Sequence, residues 1–278
     1  MIGKTRQQQE VVFDAKAGPA RGVLRRPAAG GKMKHTRRAP APDLAPWIAH
    51  YWSVEWDLRG SDPHIAETLP HPNVQLVFEN GAATVSGVQT SRFTRVLEGR
   101  SKVFGVKFRA GGFRAFYGRP VAELADRTVP ATEIFGGSIL ELGAVVLGKG
   151  RERDRLKAAD EFFRARRLTA DPSAERAAEL VERIQREPEI RTVDELAARA
   201  GIGKRALQRL FQEFVGASPK WVIRRYRLHE AVERIHSSAQ IDLAQLAVEL
   251  GYFDQAHLIN DFRSIVGMTP GRYGAQQS

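Results

Sequence analysis

Cysteine is absent from this 278-residue chain, and its absence removes several kinds of chemistry at once. Without thiols there can be no disulfides, no thiolate zinc ligands and no cysteine nucleophile. The chain also lacks an apolar run near eighteen residues, and it lacks a basic leader followed by an apolar segment. We therefore expect no membrane span and no secretory signal, and we expect a cytoplasmic protein.

Motifs of enzymes are equally scarce. There is no Gly-rich phosphate loop, no serine nucleophile elbow and no paired-acid signature. One alternative stays open, because His50, His64 and His71 share a strand-rich region with Glu67, and imidazole with carboxylate suits iron or zinc in a cupin-like enzyme. These four residues lack tight ligand spacing. We therefore predict no catalytic residue, metal or cofactor, and a metal-dependent enzyme domain is the alternative.

Positive charge is abundant but unevenly placed. The formal net charge is +11, and the first forty residues hold ten Lys and Arg against two acids. That segment is rich in Gly, Pro and Ala, so residues 1–40 are interpreted as a flexible basic arm, either solvated or in contact with phosphate. Residues 191–278 hold twelve bases against nine acids. A nucleic-acid partner must therefore be argued from where charges lie on helices, not from their total.

Residues 41–168 are predicted to form an α+β domain with a sensing or dimerisation role. Short aromatic and β-branched segments separated by turn residues predict strands at 47–56, 74–78, 83–88, 93–97 and 103–108. Helical patterns follow near 121–126, 133–147 and 153–167. Residues 169–174 are interpreted as a linker, and 175–278 as an all-α domain that begins with a helix to about Arg186.

The most informative feature is a repeat within this last region. Glu195-Leu-Ala-Ala-Arg-Ala-Gly201 returns as Gln245-Leu-Ala-Val-Glu-Leu-Gly251, and each copy continues into a second helix. The matched positions of these second helices are Leu207, Phe211, Gly216 and Pro219 in one copy and Leu258, Phe262, Gly267 and Pro270 in the other. The offset is 50 residues up to the glycine and 51 after it, so one residue is added inside the second turn. The pattern predicts two helix-turn-helix units.

Capping residues mark where the helices of both copies begin. Thr192 with Glu195, and Asp242 with Gln245, form the same capping-box pattern. Between the copies, Pro219 to about His236 contains no internal Gly or Pro and is predicted to be one longer helix.

The second helix of the first copy has two chemically different faces. Leu207, Leu210, Phe211 and Phe214 share one side of a helical wheel. The other side carries long donors and no acid, namely Lys204, Arg205, Gln208 and Arg209. Arg and Lys can pair with guanine or phosphate, and Gln with adenine, so we predict that this face reads DNA in a major groove. The alternative is an ordinary solvated helix face.

The corresponding helix of the second copy is less charged. Leu258, Phe262 and Ile265 are predicted to pack inward. Its outward positions are Gln255, Ala256, Ile259, Asn260 and Arg263. The two amides can read adenine and the two apolar side chains can touch thymine methyl groups. We therefore predict that the first copy dominates affinity and that the second adds selectivity. On the bridging helix, Arg224, Arg225 and Arg227 are candidates for phosphate contacts or for surface salt bridges with Glu230 and Glu233.

Residues 175–275 resemble the AraC/XylS family of bacterial transcription regulators. The matching segments are Leu196-Ala-Ala, Leu207-Gln-Arg-Leu-Phe211, Gly216-Ala-Ser-Pro219, Leu250-Gly-Tyr252, Gln255-Ala-His-Leu258 and Gly267-Met-Thr-Pro270. The resemblance implies seven helices, sequence-specific binding to double-stranded promoter DNA, and transcriptional control coupled to the preceding domain. It implies base-reading roles for Arg205, Gln208, Arg209, Gln255, Ala256, Ile259 and Asn260.

The chain departs from the family pattern at two positions. Gly203 stands where the family usually has a capping serine, and glycine is a tolerable cap. Asn260 stands where a basic residue is common, and this change weakens the case for strong binding by the second unit. The segment before the repeat is similar to an uncharacterised sensor-type domain that is found fused to such regulators. The partners that the resemblance implies are DNA, a small-molecule effector, RNA polymerase and a second copy of the chain.

Overall fold

The structure, a computed structural model, describes residues 10–13, 24, 32–237 and 241–275. Within these residues the N-terminal part combines a β-sheet with helices, and the part after residue 171 is helical. The predicted fold class, an α+β domain followed by an all-α domain with two helix-turn-helix units, is confirmed. None of the described helices is long and apolar enough to cross a lipid bilayer.

Nine strands are formed by the described residues. They are β1 Glu10–Phe13, β2 Lys32–Arg38, β3 Ile48–Asp57, β4 His64–Thr68, β5 Gln75–Glu79, β6 Ala82–Ser86, β7 Phe93–Leu97, β8 Arg100–Phe108 and β9 Thr128–Pro130. Seven of them make one sheet in the order β1-β2-β3-β8-β5-β6-β9, and β4 pairs with β7 in a separate two-stranded sheet. Every pairing is antiparallel except that of β1 with β2, which is parallel.

The predicted flexible arm over residues 1–40 is wrong where the structure describes it. Residues 32–38 are a strand that pairs with β3 along its whole length, and residues 10–13 extend the sheet by one further strand. Polar and basic side chains occupy both faces of β2, so the apolar alternation that marks a strand is missing. Thr36 is buried, and its Oγ1 lies 2.7 Å from Ser53 Oγ, a contact within the sheet that the sequence pattern does not reveal. Leu24 is also buried, and its backbone N donates to Glu67 O at 2.9 Å. Residues 1–9, 14–23 and 25–31 of the predicted arm lie outside the described residues.

Helices of the N-terminal domain cover one face of the large sheet. They are α1 Arg114–Tyr117, α2 Thr132–Phe135, α3 Ser138–Leu147 and α4 Glu152–Arg164, with short 3-10 helices at Pro42–Leu44 and Val121–Leu124. Their apolar sides meet Tyr51, Leu76, Phe78 and Val106 in one buried core. The single helix predicted over 133–147 is two helices, because the chain turns at Gly136 and Gly137.

The C-terminal domain consists of seven helices within the described residues. They are α5 Pro172–Arg186, α6 Val193–Ala200, α7 Lys204–Leu210, α8 Pro219–Ser237, α9 Leu243–Glu249, α10 Gln255–Val266 and α11 Pro270–Ala275. The end of α7 continues as a π-helical turn over Phe211–Val215. One core joins α5, α6, α7 and the start of α8, and a second joins the rest of α8 with α9, α10 and α11. The two units therefore have separate cores and share α8.

Candidate DNA-reading surface

The first unit is shaped by a complete capping box and a left-handed turn. Glu195 N donates to Thr192 Oγ1 at 3.2 Å, and Thr192 N donates back to Glu195 Oε2 at 2.9 Å. Hydrogen bonds from the backbone, first that of Arg191, hold the pKa of Glu195 below its usual value. Gly201 ends α6 with a φ of 65°, a conformation that side chains with a Cβ disfavour. The chain thereby turns into α7.

The outward face of α7 is exposed to solvent, as the helical wheel predicts. Leu207 and Phe211 are fully buried, whereas Lys204, Arg205, Gln208 and Arg209 are all exposed. Lys204 Nζ lies 2.6 Å from Asp194 Oδ1 in a surface ion pair. Arg205, Gln208 and Arg209 make no hydrogen bond or ion pair with any residue that the structure describes. Their donors therefore face solvent and are available to a ligand.

The second unit repeats this arrangement with different capping. Asp242 Oδ1 accepts from Ala244 N and Gln245 N, but Gln245 Nε2 donates to Glu249 Oε1, so the reciprocal half of the predicted capping box does not form. Asp254 caps α10 by accepting from His257 N at 2.7 Å. Leu258, Phe262 and Ile265 are buried, as predicted.

The outward positions of α10 match the predicted set. Gln255, Ala256, Asn260 and Arg263 are exposed, and Ile259 is half-buried. Asp261 lies at the inner edge of the helix and pairs with Arg224, Nη2 to Oδ1 2.8 Å. The carboxylate that would repel phosphate is therefore already neutralised within the domain.

The arginines predicted to position phosphates are placed elsewhere by the structure. Arg225 is only 2% exposed, and its Nε donates to Pro70 O at 2.6 Å in the N-terminal domain. Arg224 is held by Asp261 on α10, and Arg227 lies over the ring of Tyr252, 3.8 Å from its centroid. In this arrangement Arg225 cannot reach a DNA backbone, and the other two stabilise the second unit from within. No local sequence pattern reveals these partners, because they are distant along the chain.

Two basic residues that no sequence pattern singles out are better placed to contact phosphate. Lys220 and Arg272 are exposed and have no ion-pair partner among the described residues. Each lies just after a Gly-x-Ser/Thr-Pro segment that follows α7 or α10 and caps the next helix, with Ser218 Oγ accepting from Trp221 N and Thr269 Oγ1 from Arg272 N. The repeated Gly-x-Ser/Thr-Pro segment marks the helix starts near which they lie, although Lys220 aligns with Gly271 and Arg272 with Trp221.

Polar contacts tie the two units to each other. Arg191, which lies two residues before α6, donates from Nη2 to Glu249 O at the end of α9, at 3.1 Å. Arg224 of α8 reaches α10 through Asp261. Together with the continuous helix α8, these contacts fix how α7 and α10 are oriented relative to each other.

The N-terminal domain contacts the first helix-turn-helix unit at several points. Arg109 pairs with Glu175 and Glu182 on α5, each at 3.0 Å. Arg114 Nε lies 2.6 Å from Glu213 Oε1, in the turn that follows α7. The backbone of Gly111 approaches Ala174 so closely that an added Cβ would lie 2.4 Å from its carbonyl oxygen. All of these contacts lie away from the outward face of α7.

The N-terminal domain also contacts the second helix-turn-helix unit. Leu69 is buried in the core of that unit, next to residues of α8 and α10. Arg92 Nη1 donates to Val266 O at the end of α10, at 2.9 Å, and also contacts Glu67 Oε1 at 2.8 Å. Contacts from the N-terminal domain therefore reach the C-terminal ends of α7 and α10 and leave the exposed faces of both helices uncovered.

Basic groups gather where the second face of the large sheet meets α8. Lys107 on β8 is the register partner of His50 on β3, and Arg37 Nη2 lies 3.1 Å from His50 Nδ1. Burial, with the charges of Lys107 and Arg37 next to it, lowers the pKa of His50 to about 2, so this imidazole is neutral. Burial and then the charges of Arg225 and Arg37 lower the pKa of Lys107 to about 7.

This lysine should make the stability of the protein depend on pH. The unfolded chain keeps the Lys107 proton up to about pH 10.4, whereas the folded protein releases it near 7, so raising the pH favours the folded state. We expect the free energy of unfolding to rise by up to about 1.4 kcal/mol per pH unit between about pH 7 and pH 10. Urea denaturation across this range measures the slope. Lys107→Met, which carries no proton there, should lose this contribution; an identical slope in that variant would contradict the assignment.

The residues of the cupin-like alternative do not come together. His50 contacts Arg37, Glu67 pairs with Arg92, and His71 Nδ1 lies 2.8 Å from Arg225 Nη2. Across the residues that the structure describes, no group of three or more His, Asp or Glu side chains could hold a metal ion. The contacts of His50, Glu67 and His71 thus give no support to a metal centre.

The site and fold define a tandem helix-turn-helix domain attached to an α+β domain, and comparisons with known proteins agree. Residues 196–276 match the family described as a helix-turn-helix domain, and residues 36–130 match a domain of unknown function, DUF6597. The C-terminal region of this chain is therefore similar to a helix-turn-helix family and the preceding region to DUF6597, each match covering about a third of the chain.

Individual relatives are similar over parts of the chain. An uncharacterized HTH-type transcriptional regulator of Haemophilus influenzae is 31% identical over 81 residues, which cover 29% of this chain and 27% of that protein. An AraC-type regulator structure from Chromobacterium violaceum has 23% identity and a TM-score of 0.35, covering 38% of this chain and 95% of its own. ToxT from Vibrio cholerae has 8% identity and a TM-score of 0.41, covering 89% and 98%. This chain thus spans about a quarter of the curated relative, and both TM-scores are below 0.5.

Proposed function

We propose that this protein is a transcription regulator that binds double-stranded promoter DNA sequence-specifically, with α7 and α10 as its reading helices. The observation that carries the proposal is the separation of faces on both helices. Their apolar sides are committed to two separate cores, while donors on α7 and amide and apolar groups on α10 face solvent. Long donors without acids are the chemistry that pairs with base edges in a major groove.

Within this proposal the two helices have different tasks. Arg205, Gln208 and Arg209 supply direct base contacts and most of the electrostatic attraction. Gln255, Ala256, Ile259 and Asn260 add selectivity, and Arg263, Lys204, Lys220 and Arg272 supply phosphate contacts. Because α8 and the Arg191 to Glu249 contact fix the two units together, the protein reads a bipartite site on one face of the duplex.

The N-terminal domain has a regulatory task in this proposal, not an enzymatic one. Its contacts reach both units, so a small-molecule effector that alters this domain, or its pairing with a second copy, changes the relation of α7 to α10. This change in the relation of the two helices alters transcription through contact with RNA polymerase at the bound promoter.

Two matched variants distinguish contacts to base edges from contacts to phosphate. Sites are first selected from randomised duplexes by the full-length protein, and affinities are then measured on the selected site and its single-base variants. Arg209→Ala should weaken binding to the selected site by about 1–3 kcal/mol and relax the preference at one base pair, because it removes a contact to a base edge. Lys220→Ala should weaken binding evenly on all sequences and lower the salt dependence by about one counterion.

The control is Arg153→Ala, a largely exposed arginine on α4 of the other domain, which should bind as the wild type does. Unchanged affinity and preference in Arg209→Ala would remove this residue from the reading set. Failure of the full-length protein to enrich any common sequence would overturn the proposed function itself.

A further inference from the structure

The residue added to the second turn can be identified by comparing the backbone hydrogen bonds of the two helix-turn-helix units. Ile202 N donates to Ala197 O in the first unit, and Tyr252 N donates to Ala247 O in the second, an offset of 50 in both donor and acceptor. The next helix caps are Gly203 and Asp254, which differ by 51. Phe253, between Tyr252 and Asp254, is therefore the extra residue.

Phe253 takes no part in the packing that its position would suggest. An apolar residue just before a helix cap usually packs against the fourth residue of the helix. In the first unit Ile202 fills this role and packs against the core. In the second unit Tyr252 is buried in the core instead, and Phe253 is 92% exposed next to the first turn of α10.

The ring of this exposed phenylalanine is free to contact a ligand. Folding gains nothing from its ring, which remains in water. It lies at the end of α10 that a helix-turn-helix directs at base edges, beside the exposed Gln255 and Ala256. A phenyl ring cannot pair with phosphate or with hydrogen-bonding base edges. The apolar group that a major groove offers is the 5-methyl group of thymine.

We propose that Phe253 is a specificity-determining residue of the second unit, which packs its ring against a thymine methyl group at the edge of the half-site read by α10. This inference rests on the proposed DNA-binding function. It gives the second unit, which has few charges, an apolar means of selecting A·T pairs that the first unit lacks.

The test uses the full-length protein and a duplex that the wild type has selected from randomised DNA. Each thymine is replaced in turn by deoxyuridine, which removes only the methyl group. We expect Phe253→Ala to weaken binding about tenfold on the thymine duplex, as expected for loss of a partly buried phenyl contact. One uracil substitution should weaken the wild type several-fold and leave Phe253→Ala unaffected. Val248→Ala, which removes another exposed apolar side chain of the same unit, should bind as the wild type does.

Other outcomes overturn the inference. If Phe253→Ala binds as tightly as the wild type and responds to every uracil in the same way, the ring makes no contact with thymine. If its DNA affinity is unchanged but transcription by purified RNA polymerase falls, the ring contacts polymerase instead. If the wild type selects no common sequence, the proposed function fails together with this inference. If the wild type selects a sequence, and Arg209→Ala changes the base preference while Phe253→Ala does not, the proposed function stands and only this inference is lost.

Discussion

Replacing Arg225 with alanine is expected to lower the free energy of unfolding by about 2–4 kcal/mol, far more than loss of a surface arginine. Its guanidinium is buried between the domains, where it donates to Pro70 O and to His71 Nδ1. Truncation leaves a buried carbonyl without this donor and opens a cavity beneath α8. Urea denaturation of the full-length protein measures the loss.

Two further variants divide this loss into its parts. Arg225→Met keeps most of the side-chain volume without the donors, so the difference between Met and Ala reports packing and the difference between Met and wild type reports hydrogen bonding. Lys157→Ala removes an exposed i,i+4 ion pair with Glu161 and should cost about 0–1 kcal/mol. If Arg225→Ala were as mild as Lys157→Ala, the buried contact between the domains would not hold them together.

Substituting Gly111 with alanine should destabilise the protein by about 3–4 kcal/mol through the contact with α5. Gly111 has a φ of 88°, and its added Cβ would lie 2.4 Å from the carbonyl oxygen of Ala174. A backbone atom cannot move aside as a flexible side chain can, so the loop and α5 must separate. That movement also strains the ion pairs of Arg109 with Glu175 and Glu182.

The matched control for this prediction is Gly99→Ala. Gly99 has a φ of 60° but nothing within 4 Å of an added Cβ, so its substitution costs only the left-handed backbone, about 1–2 kcal/mol. The difference in unfolding free energy between the two variants therefore isolates the contact between the domains. Equal losses would show that α5 does not lie against Gly111 in solution.

The helical half of the fold was predictable from sequence because its signals are local. Capping by Thr192 and Asp242, the glycines that end each first helix, and the 3.6-residue spacing of leucine and phenylalanine all act within a few residues. These signals also determine which side chains remain outward. The exposed set on α7 and α10 could therefore be predicted residue by residue.

The errors have a common physical origin in contacts between distant segments. Arg225 looks like a surface arginine of a long helix until Pro70 and His71, more than 150 residues earlier, are folded against it. Strand β2 has too many basic residues to show alternation, and its pairing with β3 holds it in place. Phe253 was visible in the sequence only as an unexplained change in repeat spacing.

The sheet order has a consequence for anyone who shortens this protein. The region that matches DUF6597 begins at residue 36, inside β2, so a chain trimmed to that boundary would lose β1 and half of β2. Residues 54–57 of the ten-residue strand β3, which pair with residues 32–35, would then present unpaired backbone donors and acceptors. Such an edge recruits other strands and promotes aggregation, so β1 and β2 act as the protective border of the sheet.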